Sequence, residues 1–544
     1  MGTLLNSSSS FQTHEALPGV QTNPKRLNLF ILLSSVLLVY FISSSIYRLR
    51  FHPLSKYPGP PLAATTIKQY EYHFVKGDFV QWIHTLHDRY GDVVRYSPNH
   101  LSFTTPQAWK DIYGHRTVSR QANPKNKAFK QPPMDGHCSV IAEEDESLHG
   151  RQRKIFSHAF SDRALMEQEG LIGHYIDQLI ELIRKRVSND PNGNPALEMV
   201  QLYNWATFDI IGDLTFGEPL DNLANGKNSP WIDLIFTNFK GLQISQVLQH
   251  YQILSWLMYM CTPKRVLEEG DTHARNSRDS VTRRLEKKNT ARPDIWGLVL
   301  KHEGENRMPR GQMDANSFLF MLAGSETTAT LLSGATWLLM KNRDKYDKLV
   351  KEVRSVDKES NLTADRVRHM KYLVAVLEEA LRWYPPVPIG LQRDIPKGGN
   401  RVLEDLLPEK TVVSVPSYST SHSPHNFLHP DKFVPERWIF EETEYKEYHE
   451  YDKREALQPF STGPRNCLGK KHVNTPNIHV RNSRLTVHSF LHSLAYYEMR
   501  AILARVIFNF DLKLCPESDN WGVGQKNWTL WDKPKLMVRV IERK

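Results

Sequence analysis

The ten residues from Phe460 to Gly469, FSTGPRNCLG, constrain the fold more than any other segment of this chain. Gly463 and Gly469 stand on either side of a lone cysteine, Cys467, and glycines allow the tight turn and close backbone approach that a flat ligand needs. Arg465 can pair with a carboxylate on such a ligand, and the phenylalanine can pack beneath it. Because residue types at five fixed offsets rarely match by chance, the segment predicts a ligand-holding loop rather than a turn with a buried cysteine.

The composition is that of a globular chain. Of the 544 residues, 40% are hydrophobic and 24% are charged, so most of the chain can bury a core. The formal net charge is +10, but Lys and Arg are scattered and form no basic stripe. This pattern argues against nucleic acid and favours an anionic protein or a membrane surface as partner. The four cysteines include no closely spaced pair, so we expect no disulfide framework and a reducing compartment.

Residues 27–47 form an uncharged apolar stretch that is long enough to cross a bilayer as one helix. A cleaved signal peptide is the alternative, although the stretch begins late and no small-residue cleavage site stands out. The flanking basic residues favour a cytoplasmic body only slightly.

Residues 1–26 predict a disordered tail, and the Pro- and Gly-containing residues 48–62 predict a stiff hinge. Without linkers or repeats, residues 63–544 indicate one large domain.

Apolar periodicity predicts that this domain is mainly helical. Apolar side chains recur at three- and four-residue spacing in three stretches, 165–187, 312–341 and 367–384. Strands are predicted at 93–96, 101–104 and 411–415. The predicted fold class is therefore mainly α, with a large helical core, small peripheral β-sheets and one preceding transmembrane helix.

A second motif lies within the stretch 312–341. Two small residues, Ala323 and Gly324, precede an acid and a hydroxyl at Glu326 and Thr327. This order suits a helix that passes close over a ligand and relays protons in a dry site. By itself, the motif also fits a helix with one exposed polar turn.

A third motif is the pair Glu379 and Arg382, whose i, i+3 spacing allows a salt bridge on one helix face. The spacing alone carries little information, because Glu181 and Arg184 share it. The later pair is distinguished by its context, since Tyr-Pro-Pro follows it directly and a Pro-Glu-Arg-Trp segment containing Arg437 lies downstream.

The order of these motifs resembles the cytochrome P450 family. The loop 460–469 matches that family's FxxGxRxCxG pattern at every specified position, and the similarity covers nearly everything after residue 48. Fungal microsomal members of secondary metabolism, such as the trichothecene hydroxylases, are the most similar. The resemblance implies the cytochrome P450 fold, a haem b group and a monooxygenase reaction.

The resemblance also implies how the haem is held. The family's cysteine is the axial thiolate ligand of the iron, and Cys467 takes that role here. Further haem-binding residues come from the loop and from the helix that makes room for dioxygen: Phe460, Arg465, Gly469, Ala323 and Gly324. A zinc site of Cys467, His472 and His479 is a weaker alternative, because it lacks a cysteine pair.

Haem propionates need N–H donors, which the family usually draws in part from a helix bearing Trp-x-x-x-Arg. This chain has His149 and Arg153 at those places, and an imidazole can still donate to a propionate. Arg393 is a further propionate candidate, with an exposed surface arginine as the alternative.

Catalytic and structural roles follow from the same resemblance. Glu326 and Thr327 are the acid and alcohol that deliver protons during oxygen activation. Glu379, Arg382 and Arg437 form a structural network behind the haem and are not catalysts.

The implied partners are those of fungal microsomal members. The resemblance implies a single-pass protein of the endoplasmic reticulum membrane, in contact with membrane lipid, whose body faces the cytoplasm. Electrons come from NADPH through the flavins of a separate NADPH–cytochrome P450 reductase, and no nucleic acid is expected. The substrate is an apolar small molecule, contacted within residues 131–140, 236–251, 318–322 and 387–391.

The chain departs from its family directly after the loop. The family pattern runs close to Cys-x-Gly-Lys-x-Leu-Ala, but residues 471–493 separate Lys470 from Leu494 where one residue is expected, an excess of 22. A long loop here uncouples the thiolate from a helix dipole that stabilises it by about 1 kcal/mol. Our leading hypothesis is a retained intron or a gene-model error. A surface loop is the alternative, because closing a longer loop costs little entropy.

These features predict an NADPH-dependent haem-thiolate monooxygenase that hydroxylates or epoxidises an apolar small molecule in fungal secondary metabolism. One alternative is an isomerase or dehydratase of the same fold, which need not keep the acid and alcohol pair. Another is a catalytically inactive, membrane-tethered haem protein, made so by the insertion.

Overall fold

The computed structural model describes residues 24–118, 120–126, 136–229, 231–232, 241, 243–244, 246–248, 250–287, 294–301, 307–470 and 493–543. Most of the predicted tail and the excess residues 471–492 lie outside the described residues. The chain divides into two units, Met1–Ser55 and Lys56–Lys544, and the division falls within the predicted hinge 48–62.

The described part of the first unit is one apolar helix with a short extension. The helix Pro24–Ile46 begins before the predicted start at residue 27, and a π-helical turn, Tyr47–Phe51, follows it. Its large apolar side chains are exposed along its whole length. From Leu27 to Phe51 the segment is long and apolar enough to cross a membrane, as the sequence predicts.

The second unit is mainly helical, which confirms the predicted fold class. Its longer helices are Lys68–Lys76, Phe79–Tyr90, Pro106–Tyr113, Glu146–Ala159, Asp162–Ser188, Met199–Phe216, Gln252–Cys261, Lys264–Glu286, Arg310–Ala323, Glu326–Lys341, Arg343–Val353, Lys371–Trp383 and Leu494–Asn509. Shorter helices are Pro61–Thr65, Asn222–Asn225, Ile295–Val299, Ala364–Arg368, Ser417–Ser421 and Lys446–Tyr451. Single 3₁₀ turns lie at Glu359–Asn361, Pro435–Trp438, Thr443–Tyr445, Arg454–Ala456 and Pro516–Ser518.

The described strands form four small sheets. The largest has the strand order Val93–Ser97, His100–Phe103, Val412–Ser414 and Arg393–Asp394, and it contains the three predicted strands. The others join Ala196–Glu198, Met537–Glu542 and Phe510–Leu514; Lys526–Trp528 and Leu530–Asp532; and Asn400–Val402 and Asp405–Leu407.

The prediction of one continuous helix over residues 312–341 is wrong, because the helix is interrupted at Gly324 and Ser325. The Ser325 hydroxyl donates to the carbonyl of Met321 at 2.6 Å, a local bond that competes with regular helix pairing. A Cβ on Gly324 would lie 2.7 Å from the side chain of Ile211, so a larger residue would require that side chain to shift. Apolar periodicity runs unbroken through both halves and therefore conceals the break.

The main core is built around two neighbouring helices, Met199–Phe216 and Glu326–Lys341, whose side chains are buried on nearly all sides. Three further helices pack on this pair: Asp162–Ser188, Lys371–Trp383 and Leu494–Asn509. Because Lys371–Trp383 and Leu494–Asn509 lie on either side of the cysteine loop in sequence, this packing places the loop against the helical core.

Candidate active site

The loop 460–469 is held in a tight turn at one glycine. Gly463 has φ +76°, and a Cβ on it would lie 1.9 Å from the carbonyl oxygen of Tyr113, so no other residue fits without a backbone shift. The N–H of Cys467 donates to the carbonyl of Phe460 at 3.0 Å and closes the loop. The Phe460 ring packs on Tyr496 of the helix Leu494–Asn509, with centroids 5.3 Å apart.

Cys467 is an exposed residue whose thiol is closely surrounded by the fold. The residue is exposed, although protein atoms surround the sulfur closely enough for burial to raise its pKa. The N–H groups of Gly469 and Lys470 and the charge of Arg153 act in the opposite direction and favour the thiolate. A thiol in these surroundings is available to a ligand that is itself buried in the protein.

Ala323 and Thr327 lie one helical turn apart on the open side of the interrupted helix. Ala323 is exposed and Thr327 is half-buried, whereas Ser325, Glu326 and Thr328 between and beside them are buried. The Thr327 hydroxyl donates to the Ala323 carbonyl at 3.0 Å. Small and hydroxyl-bearing side chains thus line the same open face.

The structure does not join Glu326 to Thr327. The Glu326 carboxylate instead forms an ion pair with Lys533, and both side chains are only 3% exposed. Burial raises the pKa of Glu326, and the Lys533 charge opposes that effect. Lys533 was missed by sequence reasoning, because it lies 207 residues further along the chain and outside any motif.

Five cationic or N–H-bearing side chains cluster near the loop. They are Lys125, His149, Arg153, Arg393 and Arg465. Burial and the neighbouring arginines lower the pKa of Lys125 to about 7, and burial with the four cations lowers the pKa of His149 to about 3. Arg393 is 7% exposed, which rules out the alternative of a surface arginine. Lys125 pairs with Arg393 in a β-bridge and belongs to no sequence motif that would point to it.

Two arginines tie this cluster to its surroundings. Arg153 donates to the Asn466 carbonyl at 2.6 Å and also to the Asn466 side chain, next to the cysteine. Arg465 donates to the carbonyls of Glu143 and Glu144 at 2.6 and 3.1 Å. Among the described residues, neither Arg393 nor Arg465 forms a direct ion pair, although the carboxylates of Glu143, Glu144, Asp145 and Glu146 attract Arg465 from further away. Cations crowded in this way favour an anionic ligand.

The three residues predicted to be structural meet in the core. The Glu379 carboxylate accepts from Arg382 Nε at 3.0 Å, from Arg382 Nη2 at 2.9 Å and from Arg437 Nε at 3.2 Å. All three side chains are fully buried. Two members were not predicted: Asp452 pairs with Arg437 at 2.8 Å, and Trp438 donates to Glu379 at 2.9 Å.

These residues fit a haem group. The thiol of Cys467 suits a ligand to haem iron, and the crowded cations suit two propionates. Among the described residues, no group of three His, Cys, Asp or Glu could hold a separate metal ion. His472 and His479 of the zinc alternative lie outside the described residues.

The predicted substrate contacts are only partly described. Residues 131–135 and much of 236–251 lie outside the described residues. In the other two predicted segments, 318–322 and 387–391, the side chains of Leu322, Val387 and Leu391 are half-buried and leave apolar surface available to a substrate.

Comparison with known proteins shows which family the chain belongs to. The sequence model of the cytochrome P450 family matches residues 58–471. The chain is 40% identical over 496 residues to cytochrome P450 monooxygenase FUM2 of Gibberella moniliformis, covering 91% of this chain and 99% of that protein. It is 38% identical over 514 residues to averantin hydroxylase of Dothistroma septosporum, covering 93% and 90%. The chain therefore belongs to the cytochrome P450 family and is a monooxygenase.

Proposed function

We propose that the chain holds haem b through the Cys467 thiolate and inserts one oxygen atom into an apolar small molecule of fungal secondary metabolism. Electrons would come from NADPH through a separate flavin-containing reductase. The observation that carries the proposal is an enclosed thiol beside five crowded cationic or N–H-bearing side chains, Lys125, His149, Arg153, Arg393 and Arg465. When bound, the haem supplies the activation of dioxygen.

Each side chain then has a task. Arg153, Arg393 and Arg465, with Lys125 and His149, would hold the propionates through charge-assisted hydrogen bonds. Ala323 keeps the open face of the interrupted helix free of bulky side chains, whereas Gly324 faces Ile211 of the neighbouring helix. The Thr327 hydroxyl on that face can pass on a proton at its Oγ1, a step worth a factor of about 100 or more in rate.

An apolar membrane helix supports a location at the endoplasmic reticulum, with the second unit facing the cytoplasm. There it would reach both a membrane-bound reductase and apolar substrates dissolved in lipid. Attaching a glycosylation acceptor to each end of the chain tests the orientation, because only a lumenal end is modified.

The decisive experiment is the ferrous carbon-monoxide difference spectrum of the full chain in microsomes that contain a fungal reductase. We expect a thiolate-type band, and its loss in Cys467→Ser with no loss in Cys515→Ser. An isomerase or dehydratase would also give the band but would consume no NADPH. An inactive haem protein would give the band but would turn over no substrate. Averantin, which appears in the name of the Dothistroma relative, is one substrate to test.

A further inference from the structure

Asn316 lies in the helix Arg310–Ala323 and is completely buried. Its side-chain carbonyl accepts from the N–H of Val140 at 2.8 Å. Its amide nitrogen donates to the side-chain carbonyl of Gln152 at 3.0 Å and to the backbone carbonyl of Gln312 at 2.7 Å. One side chain thus joins its own helix to two other segments of the chain.

The second amide, that of Gln152, extends this link to a neighbouring residue of the same loop. Gln152 is 1% exposed, and its nitrogen donates to the backbone carbonyl of Cys138 at 3.2 Å. Two buried amides therefore hold the backbone at Cys138 and Val140, two residues apart. We call residues 137–144 the docked segment.

The docked segment is also held at both of its ends. At its start, the ring of His137 lies so close to Gly311 that a Cβ on the glycine would stand 2.1 Å from the ring. At its end, the carbonyls of Glu143 and Glu144 accept from Arg465 at 2.6 and 3.1 Å. The segment therefore runs from the first turn of the interrupted helix to the cysteine loop.

The docked segment borders the open face of the interrupted helix. Asn316 and Ala323 are seven residues apart, which places them on one face of the helix and about 10 Å apart along its axis. Val140 packs with Leu319 and Phe320, which lie between these two positions, in a second apolar core. The position of the segment therefore limits the space above the open face at one end.

Hydrogen bonds add a fixed position to this packing. Apolar side chains can repack in more than one arrangement, whereas a fully bonded buried amide specifies a single one. Ile141, which follows the held Val140, is 50% exposed and offers apolar surface. The two amides thus fix the backbone beside an apolar side chain that the core does not use.

We propose that Asn316 is a positioning residue for the substrate. Through Val140, and through Gln152 and Cys138, it holds the docked segment at the distance from the open face at which the apolar body of the substrate fits between the two. A displacement of about 1 Å in such a site can cost a factor of 100 in rate, because the reacting carbon is no longer aligned. Asn316 itself does not touch the substrate in this proposal.

This inference rests on the proposed function and is tested in the full chain with haem bound. The probes are imidazole and 4-phenylimidazole, which share the ring that binds iron and differ in a phenyl group. Absorption titrations give both dissociation constants. We expect Asn316→Ala to raise the value for 4-phenylimidazole at least fivefold, because the phenyl group loses its cover. The value for imidazole should stay within a factor of two.

The second amide gives an independent measurement. Gln152→Ala should weaken 4-phenylimidazole in the same way, and combining it with Asn316→Ala should add little, because the two amides act as one unit. Hydrogen exchange in residues 138–144 should be faster in each variant. Hydrogen exchange does not depend on turnover, so it reports the position of the segment directly.

Asn222→Ala is the matched control. Asn222 is 1% exposed, and its side chain accepts from the N–H of Ser229 at 2.7 Å and donates to Asp209 at 2.7 Å, in another part of the fold. It loses similar bonds and should leave both probes unchanged.

Three results would overturn the proposal: unchanged 4-phenylimidazole binding in Asn316→Ala, equal weakening of both probes, or equal weakening in both asparagine variants. A phenyl group that adds no affinity in the unmodified chain would overturn it as well. Absence of the thiolate-type band in the unmodified chain would instead count against the proposed function.

Discussion

Gly469 and Ala495 lie side by side: a Cβ on the glycine would stand 3.8 Å from that of the alanine. Residues 471–492 intervene in the chain, yet their two flanks meet. Glu378 contacts both flanks, since its carboxylate accepts from the Tyr496 hydroxyl at 2.8 Å and interacts with the charge of Lys470. The match to the family also ends at residue 471, where the excess begins.

Deleting residues 471–492 should increase haem incorporation and stability. The shortened chain reads Cys-Leu-Gly-Lys-Ser-Leu-Ala, which restores the family spacing and removes the entropy cost of closing a long loop between Lys470 and Leu494. We expect a larger thiolate-type carbon-monoxide band per milligram and a higher unfolding temperature. A Gly/Ser segment of equal length is the matched control. Equal bands from the full and shortened chains would contradict the hypothesis of a retained intron and support a real loop.

Glu379→Gln should abolish stable haem incorporation. The change leaves Arg382 and Arg437 buried with one carboxylate fewer, which lowers the free energy of unfolding by roughly 3–5 kcal/mol. Glu181→Gln is the matched control, because Glu181 makes the same i, i+3 pair with Arg184 at 2.6 Å but is 68% exposed. Holoprotein yield and urea unfolding measure the difference. Similar losses in both variants would show that the buried network has no special role.

Thr327→Ala should separate NADPH consumption from product formation. Removing the hydroxyl from the open face deprives the site of a proton donor, so peroxide release rises while the carbon-monoxide spectrum is unchanged. Thr327→Ser keeps the hydroxyl and should recover most of the coupling. Peroxide and NADPH are measured in the same reaction, and unchanged coupling in the alanine variant would exclude a relay through this residue.

Lys125→Met should have opposite effects on the haem-free and haem-bound forms. The pKa of Lys125 falls from 10.5 to about 7 in the fold. Between these values the unfolded chain binds more protons, so the stability of the haem-free form rises with pH across that window. The methionine removes the cost of burying Lys125 at neutral pH, which stabilises the haem-free form. It also removes a hydrogen-bond donor to a propionate, which weakens haem binding. Thermal unfolding and haem loss to apomyoglobin measure the two effects, with exposed Lys110→Met as control.

Acid should unfold the chain partly through His87. Burial lowers its pKa from 6.5 to about 4, and its ring bonds the Gly91 carbonyl at 2.8 Å and the Ser102 hydroxyl at 2.7 Å. Below pH 6.5 His87 is protonated in the unfolded chain but stays neutral in the folded chain. The free energy of unfolding therefore falls by about 3 kcal/mol between pH 6.5 and pH 4. His87→Gln should flatten the pH dependence of the urea midpoint, whereas exposed His115→Gln should leave it unchanged.

Short motifs made much of the site predictable. Cys467, Glu379 and Arg382 belong to patterns a few residues long, so sequence alone points to them. Lys533 and Lys125 could not be found in this way, because each acquires its meaning from a partner far along the chain. The break at Gly324 was also hidden, since it depends on contact with Ile211 of another helix rather than on local periodicity.

The crowded cations beside the loop have a consequence for the life of the protein in the cell. Their mutual repulsion lowers the free energy of unfolding of the haem-free chain. An anionic ligand that binds only the folded state raises it again. Newly made chains that wait for haem are therefore the ones most open to proteases. Haem synthesis, as much as gene expression, is expected to set the amount of this enzyme that accumulates.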